Sequence, residues 1–324
     1  MKRFIGKGRV LTCALAMLAA AAANGQSYPT KSVRLIVPYA PGGIVDYVGR
    51  LIGQRLSDAF GQNVVIDNRP GAGGIIGIET ASKASGDGYT LLIMDPAIVI
   101  NPSLLAKVPY DINKDLAPAT ILSSSPLVLA INAKVAANNV QELVNLARSQ
   151  PGKLSFASAG IGTTPHMAGE MFKARIRQNI THVPYKGSGP AMTDLIAGQV
   201  QMTFSSITAA LPFIRDGRLR GLATTGEKRA AALPNLPTIA ESGFPGFEVN
   251  LWLAVFVPAD ISRDILMRIN SELRKALQHP DIKSGFEKVG AEPVGNTPQE
   301  AVVFVKNEFK KWADVIRTAH IKAE

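Results

Sequence analysis

From residue 33 onward, short apolar runs alternate with longer stretches whose apolar residues recur every three or four positions. The runs Val33–Val37, Val64–Asp67, Thr90–Met94, Leu127–Ile131, Leu154–Ala157, Thr181–Val183, Gln199–Phe204 and Leu251–Phe256 predict strands. Three stripes predict amphipathic helices: Val48, Leu51, Ile52 and Leu56; Met167, Met171, Phe172 and Ile176; and Ile265, Ile269, Leu273 and Leu277. Each puts its apolar residues on one face, which a helix buries against a core. Strands and helices in alternation predict an α/β fold. The last helix is the best marked. Thr297-Pro298-Gln299-Glu300 combines a capping threonine, a proline at the first helical position and a glutamate three residues after the cap. Val302, Val305, Phe309, Trp312 and Ile316 follow at helical spacing, as in a helix lying on one domain.

One combination recurs: a strand, a glycine turn, then a helix. It occurs at "LIVPYAPGGIVDYVGRLI", "VVIDNRPGAGGIIGIETA", "LSFASAGIGTTPHMAGEMF" and "THVPYKGSGPAMTDLIAG". Open α/β sheets bind ligands outside the carboxyl ends of their strands, so four such turns point to one crevice. Glycine lets the backbone approach a ligand closely. The first free N–H groups of the following helix face outward with partial positive charge, which makes an anion site. A carboxylate is the simplest candidate. The competing reading is that each glycine only turns the chain. Nucleotide sites fit less well: no G-x-x-x-x-G-K-[ST] is present, and Gly160-Ile161-Gly162 lacks the third glycine of a dinucleotide fingerprint.

The N-terminus changes the picture of where the protein works. Lys2, Arg3, Lys7 and Arg9 flank or precede an apolar stretch from Val10 to Ala23, and the end is rich in alanine. This is the pattern of a secretory signal peptide over residues 1–25, with cleavage near Ala23 to Gln26. The stretch falls short of the roughly 20 residues a membrane span needs. The expected destination is outside the cytoplasm. Cys13, the one cysteine, leaves with the signal, so disulfides, thiolate metal sites and thiol nucleophiles are excluded from the mature chain of about 300 residues. That length suits two packed domains. The formal charge is +10, of which the four basic signal residues carry four, leaving +6. The remaining basic residues are scattered without interleaved aromatics, so nucleic acid is not an expected partner. An anionic small ligand would suit the excess.

Catalytic chemistry finds little footing. His166, His182, His279 and His320 show no metal-ligand spacing, and no G-x-S-x-G elbow occurs. No metal, cofactor or enzymatic activity is expected. His166 reads as a helix-start residue that touches ligand. An acid–base set with Asp46 or Ser158 can be drawn, but no spacing brings them together. Lys186 either neutralises an anion or is solvated. Asp46 caps or braces its own loop, or accepts from a ligand hydroxyl or bridging water.

Read in order, "VRLIVPYAPGGIVDYVGRLIGQRL", "VVIDNRPGAGGIIG", "DGYTLLI", "INPSL", "SAGIGTTPHMAGEMF", "THVPYKGSGPAMTDLIAGQV", "LPTIAESGFPGFEV" and "GAEPVGNTPQE" resemble the periplasmic solute-binding proteins of tripartite tricarboxylate transporters, also called Bug receptors or the TctC family. The resemblance covers essentially the whole mature chain. It implies a type II periplasmic-binding-protein fold, in which two α/β domains close on a small carboxylate in the cleft between them. The captured ligand is offered to inner-membrane subunits of a secondary transporter or, alternatively, to a sensor histidine-kinase ectodomain. A third alternative is a periplasmic enzyme acting on a small carboxylate. The family's role needs only a monomer.

The same resemblance implies a discontinuous first domain, residues 26–124 and 250–324, and a second domain, residues 125–249. Hinge strands are expected near Leu122–Leu127 and Glu248–Trp252. The first domain's ligand loop would run through Tyr39, Ala40, Pro41, Gly42, Gly43 and Asp46, with Gly73, Gly74 and Ile75 as a neighbouring wall. Ser158, Ala159, Gly160, Gly162, Thr163, Thr164 and His166 would face it, joined by Tyr185, Lys186 and Gly187, with Ser205 and Ser206 at the end of a further strand. The chain departs from its relatives at Ile44 and Ile75, where small or polar residues are common, at Gln201 and Ser205, where aspartates are frequent, and at Asp95, where small hydroxyl residues are usual. Added apolar surface and lost acid imply a ligand with an apolar or aromatic body and few amines. The competing reading turns Ile44 and Ile75 into the core.

Overall fold

The computed structural model describes residues 28–288 and 290–323; the expected signal peptide lies outside the described residues. The first half opens with β1 (Val33–Val37), α1 (Ile44–Phe60), β2 (Val64–Asn68), a short turn of 3-10 helix (Ala72–Gly74), α2 (Ile75–Ser82), β3 (Thr90–Met94) and α3 (Ala97–Leu104). A long strand, β4 (Leu116–Asn132), leads into α4 (Val140–Ser149), β5 (Ser155–Ser158), α5 (Thr164–Ile176), β6 (Thr181–Pro184), α6 (Ser188–Ala197), β7 (Met202–Ser206), α7 (Ile207–Arg215) and β8 (Leu219–Thr224). The chain returns through β9 (Asn250–Pro258) and ends with α8 (Arg263–Gln278), α9 (Pro280–Lys288), β10 (Glu292–Pro293) and α10 (Pro298–Thr318).

The main strand order is β2-β1-β3-β9-β4-β7-β5-β6, with β8 and β10 also on β4. Two parallel triplets, β2-β1-β3 and β7-β5-β6, stand at opposite ends, and the antiparallel pair β9 and β4 joins them. β4 serves both. It pairs with β9 as far as Pro126↔Asn250, and from Leu127↔Ser206 onward it pairs with β7. The apolar pattern predicts only the second part of this strand. For its first part the resemblance supplies the expectation of a hinge strand near Leu122–Leu127, and the stretch from Leu116 to Ile121, with Pro118, carries no strand prediction. The prolines are accommodated because the register shifts after Pro118 and the β9 pairing ends at Pro126.

Within each triplet the strands run the same way, so their carboxyl ends, and the four glycine turns, fall on one edge per half. One apolar core is continuous through both halves, from Ile36, Met94 and Leu104 through Leu129 to Met167 and Phe172. The predicted stripe of α10 is real: Trp312 is fully buried, and the Thr297–Glu300 capping box forms. Glu308 Oε2 accepts from both Trp252 Nε1 and Trp312 Nε1, at 2.9 and 3.2 Å, locking this helix onto the first half.

Candidate functional site

The first wall is built by the turns after β1, β2 and β3. Gly43 is the N-cap of α1 and offers no side-chain cap, so the leading N–H groups of the helix lack a side-chain acceptor. The loop before it is held from beneath. All four lone-pair directions of the Asp46 carboxylate are taken: Oδ2 accepts from Gly42 N and Arg50 Nε, each at 3.0 Å, and Oδ1 accepts from Asn68 Nδ2 and pairs with Arg50 at 3.0 Å. Burial alone would raise the pKa of this group, but the bonds from Arg50, Asn68 and Gly42 outweigh it and hold the carboxyl below its ordinary value. Of the two expectations for Asp46, the brace is the one the geometry fits. It also spends the Gly42 amide, which is therefore not free for an anion. Asn68 Nδ2 ties Tyr39 O into the same network at 3.0 Å.

The second turn needs its glycines. Gly71, Ala72, Gly73 and Gly74 all have positive φ, from 48° to 135°, a run that side chains would oppose. Gly74 then caps α2, again without a side-chain acceptor. Ile44 and Ile75 are half-buried and pack against the core. After β3, Asp95 is 7% exposed and its Oδ1 accepts from Tyr39 Oη at 2.9 Å and from Ala97 N at 3.0 Å.

The second wall is organised by a stack of rings. Phe156 lies 4.7 Å from His182, and His182 lies 4.2 Å from His166. Gly162 N donates to His166 Nδ1 at 3.2 Å, which puts the His166 proton on Nε2. Ser158 Oγ lies 2.7 Å from His182 Nε2 and 3.2 Å from Gly160 O, and it accepts from Gly160 N at 3.1 Å. His182 Nδ1 is buried without a partner. Burial, with Lys173 nearby, lowers the His166 pKa to about 4. Burial, His166 and Lys173 lower that of His182 to about 3. Both rings are neutral at ordinary pH. Structure thus brings Ser158 to a histidine other than the one drawn from sequence.

The remaining residues fall into two groups. Thr163 caps α5 but sends its hydroxyl to Gly160 O at 2.6 Å, and Gly187 caps α6 with no side chain, so both helix starts remain uncapped. Gly187 N donates to Ala159 O and Tyr185 N to Ser158 O, each at 3.1 Å, which clamps the two turns together. Thr164 Oγ1 is buried without a partner beside them. Lys186 is exposed and has no ion pair among the described residues. Tyr185 turns away to Asp194 Oδ2 at 2.7 Å; burial and that carboxylate raise its pKa to about 12. Ser206 already serves α7, accepting from Ala209 N at 3.4 Å, and Ser205 is buried at the end of β7.

The two walls meet. A methyl group added at Gly73 would stand 3.4 Å from Ile161 O, and one at Gly162 would stand 2.5 Å from Asn101 Oδ1 of α3. Sequence reasoning missed Asn68, Asn101 and His182. Asn101 lies in the quoted "INPSL" stretch, but its closeness to Gly162 is a tertiary fact. His182 stands opposite Phe156 in the β5–β6 register, which no local pattern fixes. A shallow hollow on the outer helix α8, lined by Met267, Asn270, Arg274 and Gly295, lies apart from all of these turns.

A profile described as the tripartite tricarboxylate transporter family receptor matches residues 48–321. The chain belongs to this receptor family. Protein BugT of Bordetella pertussis is 36% identical over 305 residues, covering 94% of either chain. Among solved structures similar to this family member, Rpa4515 of R. palustris with adipate superposes with a TM-score of 0.86 at 36% identity, covering 91% of this chain and 99% of that one. MatC of Rhodopseudomonas palustris with bound malate gives 0.82 at 29% identity, covering 89% and 100%. The fold of this receptor is accordingly the type II periplasmic-binding-protein fold, two α/β domains about a cleft. Among the described residues no helix is long and apolar enough to cross a membrane, and no group of three or more metal-ligating side chains gathers.

Proposed function

We propose that the chain is a periplasmic receptor that closes on a small carboxylate and delivers it to the inner-membrane subunits of a tripartite tricarboxylate-type transporter. The observation that carries this reading is a set of four helix starts without side-chain caps, α1 and α2 on one wall and α5 and α6 on the other, with the turns before α2 and α5 approaching each other at Gly73 and Ile161. A carboxylate placed there receives backbone N–H groups from both walls. It binds the closed arrangement better than the open one and so draws the population toward closure. The moving bodies are residues 26–124 with 250–324, and residues 125–249. The passage of β4 between half-sheets at Pro126–Leu127 supports a hinge there.

The ligand contacts we assign lie in Ala40 to Gly43, Gly73 to Ile75, Ser158 to Thr164 and Gly187, through the backbone groups there that no internal hydrogen bond takes up, with Lys186 from the rim; the amides of Gly42, Gly162 and Gly187 are already engaged. Ile44 and Ile75 face a relatively apolar ligand body. The receptor acts as a monomer and leaves its ligand chemically unchanged. Native mass spectrometry of gently purified mature protein, followed by denaturation and identification of what is released, tests the reading. The expected result is one unaltered carboxylate per chain. An empty protein that also shows no thermal shift with a broad carboxylate panel would sink it.

A further inference from the structure

Among the described residues three carboxylates are nearly fully buried: Asp46 at 4%, Glu272 at 6% and Asp95 at 7% exposure. Two of them are matched by cations. Asp46 holds Arg50, and Glu272 holds Arg268 at 3.0 Å and Lys275 at 2.9 Å. Asp95 has none. Its hydrogen bonds from other residues, Tyr39 Oη and Ala97 N, both fall on Oδ1, which leaves Oδ2 without such a donor. That is the pattern of a neutral carboxylic acid: one oxygen accepts twice as a carbonyl does, and the other carries a proton it can give away. A buried carboxylate with no cation carries the full cost of desolvation, whereas the acid form does not.

Asp95 follows the carboxyl end of β3, beside the β1 turn. A methyl group added at Gly74, the cap of α2, would stand 3.4 Å from the Tyr39 hydroxyl that holds Asp95. The aspartate thus borders the uncapped helix starts. The titratable groups facing it are Tyr39 and Tyr110, from the β1 turn and the segment after α3, and proximity to Asp95 helps raise the pKa of both after burial. Burial raises the pKa of Asp95 itself to about 6.

We infer that Asp95 is a ligand-reading residue that works in its protonated form: Oδ2–H donates to a carboxylate or carbonyl oxygen of the bound molecule, and capture takes up one proton from solvent. The inference rests on the cleft being a carboxylate site. An anionic ligand close by disfavours the ionised aspartate further, so proton uptake and binding reinforce each other. It also revises the expectation of lost acid in the cleft: an acid is present, and it selects for acceptors.

The test is isothermal titration of adipate, malate and other small carboxylates into wild type and Asp95→Asn at pH 6, 7 and 8, each in two buffers of different ionisation enthalpy. Asparagine keeps a donor and cannot titrate. The ligand's own titration is common to both proteins, so their difference isolates Asp95. Wild type is expected to take up about one more proton than the variant at pH 8 and to lose affinity toward about tenfold per pH unit above pH 7, relative to the variant. An infrared difference spectrum of the wild-type complex should show a carboxylic-acid carbonyl band that the variant lacks. Equal slopes and proton counts would overturn the role of Asp95 and leave the carboxylate reading standing. Preference for an amino-carboxylate without proton uptake would also overturn it, because an ammonium would then be paired with ionised Asp95. Failure of every carboxylate to bind wild type at any pH would remove the cleft reading, and this inference with it.

Discussion

Helices that open onto the cleft begin differently from helices that cover the outside. On the outside, α4, α8 and α10 start at Asn139, Ser262 and Thr297, and each side chain accepts from a backbone N–H of the first turn. At the cleft, α1, α2, α5 and α6 start at Gly43, Gly74, Thr163 and Gly187 with no such bond. Buried acids differ as well: Glu272 on the outer helix is paired twice and Asp46 beneath the α1 turn once, while Asp95 at the cleft has no cation. The outside satisfies its polar groups from its own sequence. The cleft leaves donors open and a charge unmatched, the state of a surface completed by something else. α7 marks the boundary, since it starts at a strand end on the cleft side yet is capped by Ser206.

The strongest way to break the comparison is to fill the space where the walls touch. Gly162 has φ of 76°, and a methyl group there would stand 2.5 Å from Asn101 Oδ1 and 3.5 Å from Leu104 Cδ2. Left-handed strain alone costs about 1–2 kcal/mol, and closure adds the clash. Gly162→Val is expected to lower ligand affinity by about a hundredfold, near 2.8 kcal/mol on the usual conversion, and by more than it lowers the stability of the ligand-free protein. Calorimetric titration beside thermal unfolding reads both. Unchanged affinity with reduced stability would show that Gly162 serves only the fold.

A paired exchange of caps separates the two classes of helix directly. Thr297→Ala removes the capping box of α10 and should cost about 1 kcal/mol of stability, with ligand affinity unchanged. Gly43→Ser adds a cap where none exists. Gly43 has φ of −80°, and nothing lies within 4 Å of the added carbon, so the change is accommodated. It should raise stability by only a few tenths of a kcal/mol while weakening ligand binding, because the new hydroxyl competes for the N–H groups. If Gly43→Ser left affinity untouched, the α1 start would not be part of the site.

How much of this was legible in the sequence follows from the range of each interaction. The capping box, the apolar stripes, most strands and the four glycine turns depend on neighbours a few residues apart, and all can be read from the chain. The Asp46–Arg50 pair is likewise an i,i+4 contact on one helix face. The first part of β4 had no apolar pattern to mark it: the resemblance supplied a hinge strand near Leu122–Leu127, and the residues from Leu116 to Ile121 become a strand through pairing with β9. His182 was unreadable for a related reason: its place opposite Phe156 depends on strand register, and its stack on His166 on how β6 meets α5. The cleft's chemistry was legible as a class of turn. Its charge state was not, since the lack of a cation near Asp95 is a property of everything packed round it.

The smallest effect expected is a change of slope, because two opposing contributions share one pH range. His166 and His182 lie below the ordinary histidine value of 6.5, at about 4 and 3. The unfolded chain therefore binds more protons there, and their contribution to stability, intact above pH 6.5, is lost as pH falls. Asp95 is raised from 3.8 to about 6. Its contribution is fully present below 3.8 and is lost as pH rises through 6. Wild type should thus lose stability on acidification less steeply than Asp95→Asn, which keeps every other contribution and lacks this opposing one. At pH 7.5 the order reverses the outer case: Asp95→Asn should unfold at a higher temperature than wild type, since it removes an unmatched buried charge, while Glu272→Gln should unfold lower, since it strips Arg268 and Lys275 of their partner. Melting temperatures of the three proteins from pH 4.5 to 7.5 measure this. Parallel curves for wild type and Asp95→Asn would mean that Asp95 is not held as a buried acid, and the contrast between cleft and exterior would then rest on the helix starts alone.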